Sequence, residues 1–499
     1  MHVRELLSAF IEYEERAHLF ERSARGVRYW HAIRHDVFQE TLQAAGLAER
    51  AHLRVEDLPL RSWLPAQLRA LPTTLRRSAW MFAPRAMSDA SGLPRAAASL
   101  LGLPRADLLV ANHPRHVFSG GRYICPYSQP LLDATRRSRV VLEGQFQGRY
   151  ASPVPDQPTA YIDLALLAAH AEFRAERFGR GDLSASELAE LGEIRDELAH
   201  TLGTAPPLAA IVRRARTAVI ATSGLWPRYE RLLDRVQPKL IVVVIGYRLV
   251  NQVLTQVAHA RGLPVAELQH GALGETHPAY NFARGRRPES FPDQLLLFGE
   301  LWRRATPGLP LPAAQTPAIG YAWLELQSQR YQRESPRTPR RVLFLSQRSI
   351  GTRLALAAVR VRNRISADEL HITYRLHPSE SRGWREAYPE LAHADIDVQD
   401  APSSPLYAAQ RDSDAQVGVY STALLEGLAF GLPSFVLALP GHEQLRAITD
   451  TGAAQLVPDA DALADALRQP PSTSKLSLDA LWAKGATAAF ESYVEHALA

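Results

Sequence analysis

A chain of 499 residues is too long for one ordinary core and should divide into two or three domains. Its 46% hydrophobic and 22% charged residues exclude a disordered chain. A lone cysteine, Cys125, excludes a disulfide framework and a multi-cysteine zinc site. The net charge of +5 is carried almost wholly by arginine, Lys239, Lys475 and Lys484 being the only lysines. There is no long basic run and no recognisable nucleic-acid module, so nucleic acid is not an expected partner.

Residues 1–20 mix Arg, Glu and His with short apolar runs and carry no signal-peptide pattern. No apolar run approaches the ~20 residues of a membrane span. The expectation is a cytoplasmic protein.

Residues 1–105 form a helical N-terminal region, opened by Leu6, Leu7, Phe10, Ile11 and Tyr13 near one face. Between 54 and 105, Trp63, Leu64, Leu68, Leu71, Trp80, Met81 and Phe82 interleave with Arg61, Arg69, Arg76, Arg77 and Arg85. The favoured reading is packed helices with a solvated arginine face. The sharper one is a patch making peripheral contact with anionic lipid at the inner membrane face.

From residue 106 the pattern is α/β, and a first lobe is assigned to 106–330. Buried strands are predicted at 108–111, 140–142, 218–221, 240–245, 265–268 and 294–298, with helices at 184–202, 208–216 and 249–261. Strand–helix alternation implies a parallel sheet covered on both faces. Residues 327–340 are polar and proline-bearing and read as a linker.

A second lobe is assigned to 338–480. Its predicted strands are 342–346, 372–376, 416–420, 434–438 and 455–457, with helices at 354–362, 423–430, 460–467 and 478–497. The stretch 481–499 can cross back to the first lobe. The fold class expected is two doubly wound, Rossmann-like α/β lobes with a helical N-terminal extension, and ligands in such sheets sit at the carboxyl ends of strands.

Four segments at such ends carry chemistry. In Gly418-Val-Tyr-Ser-Thr-Ala-Leu-Leu-Glu426, a strand reaches Tyr420, and Ser421 and Thr422 begin a helix whose free N–H groups can hold a phosphate. Glu426, one turn on, can accept from ribose hydroxyls. In Tyr374-Arg-Leu-His-Pro-Ser-Glu380, Arg375 and His377 can bind or protonate a phosphate, with Pro378 fixing the turn. This strand was expected to directly precede the one leading to Ser421. In Val265-Ala-Glu-Leu-Gln-His-Gly271, a strand delivers Gln269, His270 and Gly271, and His270 can serve as general base. Glu267, Glu275 and His277 are nearby alternatives. Ser346, Gln347 and Arg348 end the first strand of the second lobe, and Gly246 and Tyr247 follow a strong strand of the first.

Each segment has a plainer structural reading: a capped crossover, a strand-end turn, a satisfied histidine. The Asp-x-Asp pairs at Asp395/Asp397, Asp412/Asp414 and Asp459/Asp461 read as turns and surface, so no metal or other cofactor is expected. Walker, G-x-S-x-G and H-E-x-x-H patterns are absent, as is a convincing G-x-G-x-x-G, which removes support for kinase, hydrolase, zinc-protease and dinucleotide readings.

Across residues 240–440, the segments GLPVAELQHG, FPDQLLLFGE, YRLHPSE and VYSTALLEGLAFGLP resemble GT-B fold glycosyltransferases of bacterial capsule and O-antigen synthesis. The pattern is similar to the capsular Kdo and sialic acid transferases and to the polyglycerolphosphate transferases of teichoic acid synthesis. The resemblance implies transfer of a sugar from a nucleotide-sugar donor to a glycan or lipid-linked glycan acceptor, with the donor mainly in the second lobe. It implies that His377 contacts the nucleotide phosphate, that Ser421 and Thr422 hold phosphate oxygens, and that His270 is the base, ahead of Glu267 and Glu275. Glu426 departs from the sialyltransferase pattern, which leaves CMP-, UDP- and GDP-linked donors open. Two rival readings are a nucleotide-sugar epimerase on the same fold and a non-catalytic assembly protein.

Overall fold

The computed structural model describes residues 2–47, 102–146, 150–162, 183–332, 340–378, 380–381, 383–400, 405–469 and 477–499. The arginine- and tryptophan-rich stretch from 54 to 101 lies outside these, as do 333–339 of the expected linker. Helices α1 (Val3–Arg16) and α2 (Trp30–Ala44) flank a small hairpin of β1 (Ser23–Ala24) and β2 (Val27–Arg28).

The first lobe holds β3 (Leu108–Ala111), β6 (Arg139–Gly144), β7 (Thr159–Ile162), β8 (Leu240–Val244), β9 (Val265–Leu268) and β10 (Gln294–Leu296). They form one parallel sheet in the order β10-β9-β8-β3-β6-β7. Strands β3, β8 and β9 are buried at every residue, as expected when helices cover both faces. Between β3 and β6 the chain makes a hairpin of β4 (Val117–Ser119) and β5 (Arg122–Ile124). Its two-residue turn is Gly120-Gly121, both at positive φ, the backbone that glycine adopts without strain.

The second lobe holds β11 (Arg340–Leu345), β12 (Leu370–Arg375), β13 (Asp397–Gln399), β14 (Ala415–Gly418), β15 (Ser434–Leu437) and β16 (Gln455–Val457), in the parallel order β13-β12-β11-β14-β15-β16. Counted within each lobe, both sheets run 3-2-1-4-5-6, the doubly wound order. In each, the chain starts in the middle, builds one half and returns to build the other. A crevice therefore opens beyond the carboxyl ends of β3 and β8 in one lobe, and of β11 and β14 in the other.

The lobes share apolar packing. Phe298, Trp302, Tyr321 and Trp323 of the first lie in one cluster with Leu424, Leu425, Leu428 and Ile448 of the second. The helix Ala486–Leu498 returns to the first lobe, where Phe490 and Val494 join Leu131 and Leu132. Its approach is fixed by Trp302 Nε1 donating to the Leu481 carbonyl at 3.0 Å and by the Ala483 amide donating to Phe298.

Several local expectations need correction. Residues 218–221 are not a strand but part of a 29-residue helix, Leu208–Val236. A short apolar run does not by itself distinguish a strand from a buried helix face. Residues 327–330 end the helix Ala322–Arg330 rather than opening a linker. The last helix is broken by Gly485 at φ 75°, leaving Leu478–Leu481 and Ala486–Leu498. Strand β13 was not foreseen, and Asp397 opens it rather than sitting in a turn. It also intervenes in the chain between β12 and β14, which are not neighbours in the sheet because β11 lies between them.

One buried ion pair ties the N-terminal helices to the first lobe. Arg34 of α2 donates through Nε and Nη2 to the two carboxylate oxygens of Glu14 of α1, each at 2.7 Å, and both side chains are 1% exposed. Arg34 also donates to the carbonyls of Pro278 and Asn281, and Trp30 Nε1 donates to Glu14. Removing one partner strands a buried charge. Arg34→Met is expected to lose about 3–5 kcal/mol in urea unfolding. Arg360→Ala, which breaks an exposed pair with Asp461, is expected to leave the urea midpoint nearly unchanged.

Candidate functional site

Strand β8 ends at a sharp turn where Ile245 takes a left-handed φ of 65°, a costly conformation for a β-branched residue. Asn251 Nδ2 holds the turn by donating to the carbonyls of Val244 and Ile245 at 2.8 and 2.9 Å. The turn leads into Gly246 and Tyr247. The Gly246 amide donates to Glu267 Oε1 at 2.7 Å, and an added Cβ would lie 2.3 Å from Glu267 Oε2. Glycine is therefore required for the carboxylate to tuck beneath the turn.

Glu267 lies on β9, 1% exposed, and also accepts from Tyr280 Oη at 2.6 Å. Burial drives its carboxyl up to about 7, although the Tyr280 hydroxyl and the Gly246 amide pull the other way. The side chain braces the floor of the crevice. Gln269 is a brace as well: its amide donates to the Gly271 carbonyl at 2.8 Å and its oxygen accepts from the Phe298 amide at 2.7 Å, which sets the turn that presents His270.

His270 sits among rings. Its centroid is 5.6 Å from Tyr247, 6.1 Å from His113 and 6.3 Å from Tyr127, and Tyr247 Oη lies 3.3 Å from His270 Nε2. Nδ1 is buried and has no hydrogen-bond partner. Burial, with neighbouring His113, His277 and Arg115, holds the imidazole well below its ordinary pKa, so it is neutral at pH 7. His277 packs at 4.9 Å on Tyr280 and 5.8 Å from His35, and burial keeps it down at about 3. Glu275 faces the second lobe, 3.2 Å from Arg446, with Arg4 of α1 at 3.4 Å on its other oxygen. It is the centre of an interlobe ion bridge.

On the second lobe, Ser421 caps the helix Thr422–Ala429, its hydroxyl accepting from the Ala423 amide at 3.2 Å. Tyr420 is set by its amide donating to Gln347 Oε1 at 3.1 Å and by its hydroxyl meeting Ser349. Ser346 does not face the cleft. It is buried in a network with Tyr374, Glu380 and Tyr388, Tyr374 Oη lying 3.0 Å from Ser346 Oγ. Glu380 also accepts from the His377 amide at 2.7 Å, which fixes the turn at Pro378. Burial, with Arg115 and Arg348 adding, lowers His377 to about 4. Burial likewise lowers Arg375, which Asp400 opposes. Glu426 is buried beside Tyr407, with Tyr127 and Tyr321 of the first lobe in electrostatic range, and burial raises it to about 7.

The two walls meet. A Cβ built on Gly271 would lie 3.8 Å from Thr422 Oγ1, so the His270 turn abuts the capped helix across the cleft. The site thus brings together His270, Gly271, Thr422 and Ser421, and His377 follows β12, the neighbour of β11 in the second sheet. Glu267, Gln269 and Ser346 lie in the walls behind it, and Glu275 bridges the lobes at its margin.

The sequence reading missed the loop after β3. Asn112, His113, Pro114, Arg115 and His116 leave the sheet at the switch point itself. Asn112 Nδ2 donates to Glu143 Oε1 at 2.7 Å, and Ser128 Oγ donates to Asn112 Oδ1. His116 Nε2 is 3.0 Å from Glu143 Oε2; burial pulls this imidazole down, but Glu143 outweighs it and leaves it above its ordinary value. His113, buried beside Arg115, is held down at about 3. The signal was present as a second His-Pro pair following a strongly apolar strand, the pattern that singled out His377-Pro378.

All three Asp-x-Asp pairs have structural work. Asp414 accepts from the Arg341 amide, Asp459 caps a helix, and Asp397 lies in β13. Among the described residues no three His, Cys, Asp or Glu side chains are grouped to hold a metal ion, and no helix is long and apolar enough to cross a membrane.

No protein-family model and no curated protein matches the sequence. Among solved structures the chain is similar to the UDP-GlcNAc 2-epimerase from Methanocaldococcus jannaschii, with TM-score 0.48 and 11% identity over 78% of this chain and 98% of that one. It is similar to the glycotransferase of kitacinnamycin, with TM-score 0.42 and 12% identity over 79% and 95%. It is also similar to the spinosyn rhamnosyltransferase SpnG, with TM-score 0.38 and 14% identity over 78% and 95%. By its own topology, two 3-2-1-4-5-6 sheets facing across a cleft with the last helix returning to the first lobe, the chain has the two-lobed GT-B architecture.

The buried Glu267 carboxyl makes a measurable demand on stability. Its folded pKa, about 7, is above the ordinary 4.5, so its contribution is fully present below pH 4.5 and is lost as the pH rises through 7. Glu267→Gln keeps the acceptor oxygen and removes the titration. Relative to the parent, it should gain about 2–3 kcal/mol between pH 5 and 8. Melting temperatures of the two proteins across that range test this; parallel curves would refute it. The buried histidines titrate in both proteins and cancel in the difference.

Proposed function

We propose that this chain is a metal-independent glycosyltransferase that moves a sugar from a nucleotide-sugar donor to a glycan or lipid-linked glycan acceptor in bacterial surface-polysaccharide assembly. The observation that carries the reading is the meeting of a neutral imidazole, His270, whose buried Nδ1 has no hydrogen-bond partner, and a hydroxyl-capped helix N-terminus at Ser421 and Thr422, one from each lobe.

In this reading the acceptor hydroxyl lies against the first lobe and gives its proton to the His270 imidazole. Its oxygen forms a bond to the anomeric carbon as the bond from that carbon to the donor phosphate breaks. The phosphate keeps the electron pair and leaves as an anion. Tyr247, at His270 Nε2, orients the ring. The leaving phosphate is stabilised by the amides opening the helix Thr422–Ala429, by His377 as a neutral N–H donor, and by Arg348. Glu426 accepts from donor ribose hydroxyls, and closure of the lobes limits hydrolysis.

His270→Ala should lower kcat/KM by about 10²–10⁴-fold. His377→Ala should mainly weaken donor binding. The assay is transfer from a panel of CMP-, UDP- and GDP-sugars, with each variant's melting temperature measured alongside. Full activity in both variants would refute the assigned roles. Conversion of a sugar nucleotide with no acceptor present would identify an epimerase instead.

A further inference from the structure

The hairpin that follows β3 carries rings that the cleft does not use. Strands β4 and β5 pair Phe118 directly with Tyr123, ring centroids 5.0 Å apart. The alternation of side chains along a strand puts this pair on one face and Val117 and Ile124 on the other. Val117 and Ile124 pack on the apolar core, so the Phe118–Tyr123 face turns away from the lobe. Phe118 is 62% exposed and Tyr123 37%. At the tip, a Cβ added to Gly120 or Gly121 would meet nothing within 4 Å, so the turn stands in open space. The Tyr123 amide donates to the Pro153 carbonyl at 2.7 Å, which holds the hairpin to the chain that follows β6.

A third ring joins them. Phe146, just beyond β6, is 40% exposed, and the Arg115 guanidinium lies over it at 5.6 Å. Among the described residues these three are the only Phe, Tyr or Trp side chains that stand exposed, and all lie beyond the carboxyl ends of the neighbouring strands β3 and β6. The charge of the segment has one sign. Residues 108–132 contain Arg115 and Arg122, both exposed, and no Asp or Glu. Glu143 of β6 is buried between Asn112 and His116. Asp156 precedes Gln157, which accepts from Arg139 at the opposite end of β6. Three part-exposed rings fall short of the roughly 800 Å² that each partner gives to a stable protein interface. A bilayer rewards each ring and each cation separately, so a small patch of this composition suits an anionic lipid surface.

We propose that the β4–β5 hairpin docks the protein on an anionic bilayer, the Phe118–Tyr123 face entering the headgroup boundary while Arg115 and Arg122 meet lipid phosphates. This goes beyond the transferase reading and does not use it, since the rings take no part in the roles given to His270, His377 or Ser421. The hairpin leaves the same strand end as the loop 112–116, so docking brings the cleft to the lipid surface.

Co-sedimentation of the full chain with vesicles tests the assignment, using phosphatidylcholine alone and an equal mixture with phosphatidylglycerol. The parent should bind the mixed vesicles at least about tenfold more strongly than the neutral ones, and less as salt rises. The double variant Phe118→Ser, Tyr123→Ser should lose about tenfold or more of that binding, and Arg122→Ala about fivefold. Both should melt close to the parent, because the altered side chains are exposed. Phe118→Trp should keep the binding, and its added fluorescence should shift to the blue with mixed vesicles. Absence of parent binding overturns the proposal, as does binding that persists undiminished in the double variant, which would place the contact elsewhere in the chain. A soluble glycan, or a second copy of the chain, that is held by the parent and not by the double variant while vesicles are not bound also overturns it. Each of these outcomes leaves the transferase reading standing, and full transfer activity in the His270 and His377 variants would leave this one standing.

Discussion

The candidate site depends on a pair of charges that never touch a ligand. After β9 the chain must leave the sheet, present His270 and then travel through residues 271–281 without regular secondary structure. A loop buried in this way exposes carbonyls that need donors. Arg34 supplies them to Pro278 and Asn281, and Glu14 neutralises Arg34 with both carboxylate oxygens. Burying two charges is costly, and it is tolerable here because every lone pair of consequence finds a proton, including one from Trp30. The N-terminal helices are thus part of the mounting of the His270 loop. Arg34 also lies 4.4 Å from the Phe282 ring centroid, so the same cation packs on the aromatic cluster beneath that loop.

The joint between the lobes combines two kinds of contact. One side is apolar, where Tyr321 and Trp323 meet Leu424 and Leu428. The other is ionic, where Glu275 of the His270 loop meets Arg446 of the second lobe and Arg4 of α1. Apolar packing tolerates small rotations, and an exposed ion pair is worth little and re-forms readily. Such a joint lets the walls change their separation without unfolding either lobe. Glu426 sits where that movement would be felt, a carboxyl on the second lobe within range of Tyr127 and Tyr321 of the first.

The parts of the fold legible in the sequence are those with both faces buried. Strands β3, β8 and β15 and residues 342–345 of β11 are dominated by Leu, Ile, Val and Phe, because a parallel sheet between two helical layers has no solvent side. Strands β7 and β13 are sheet edges with half-polar sequences, and they escaped notice for that reason. Residues 218–221 misled in the opposite sense: Ala218, Val219, Ile220 and Ala221 are all buried, but by helix packing. At the site, segment identity was legible and depth was not. Ser346 and Glu267 stand one residue past or within a strand, and the pleat turns their side chains into the body of the lobe, whereas His270 and Thr422 fall beyond the pleat and reach the cleft.

The identical winding of the two sheets explains why chemistry gathers where it does. In each lobe the first and fourth strands part company at the switch point, so the loops that follow them have no crossover helix above them and open onto the gap. In the first lobe those loops are 112–116 and 245–248; in the second they are 346–349 and 419–422. His113 and Arg115 occupy one wall, Gln347 and Arg348 the other, and the imidazoles between them are stripped of charge by burial. The imidazoles of the cleft therefore offer hydrogen bonds without charge, and the positive charge near them is carried by guanidiniums, those of Arg115, Arg248 and Arg348. Burial is the main cause that holds His377 down, with Arg115 and Arg348 adding, so an anion bound beside it would raise that imidazole toward its charged form.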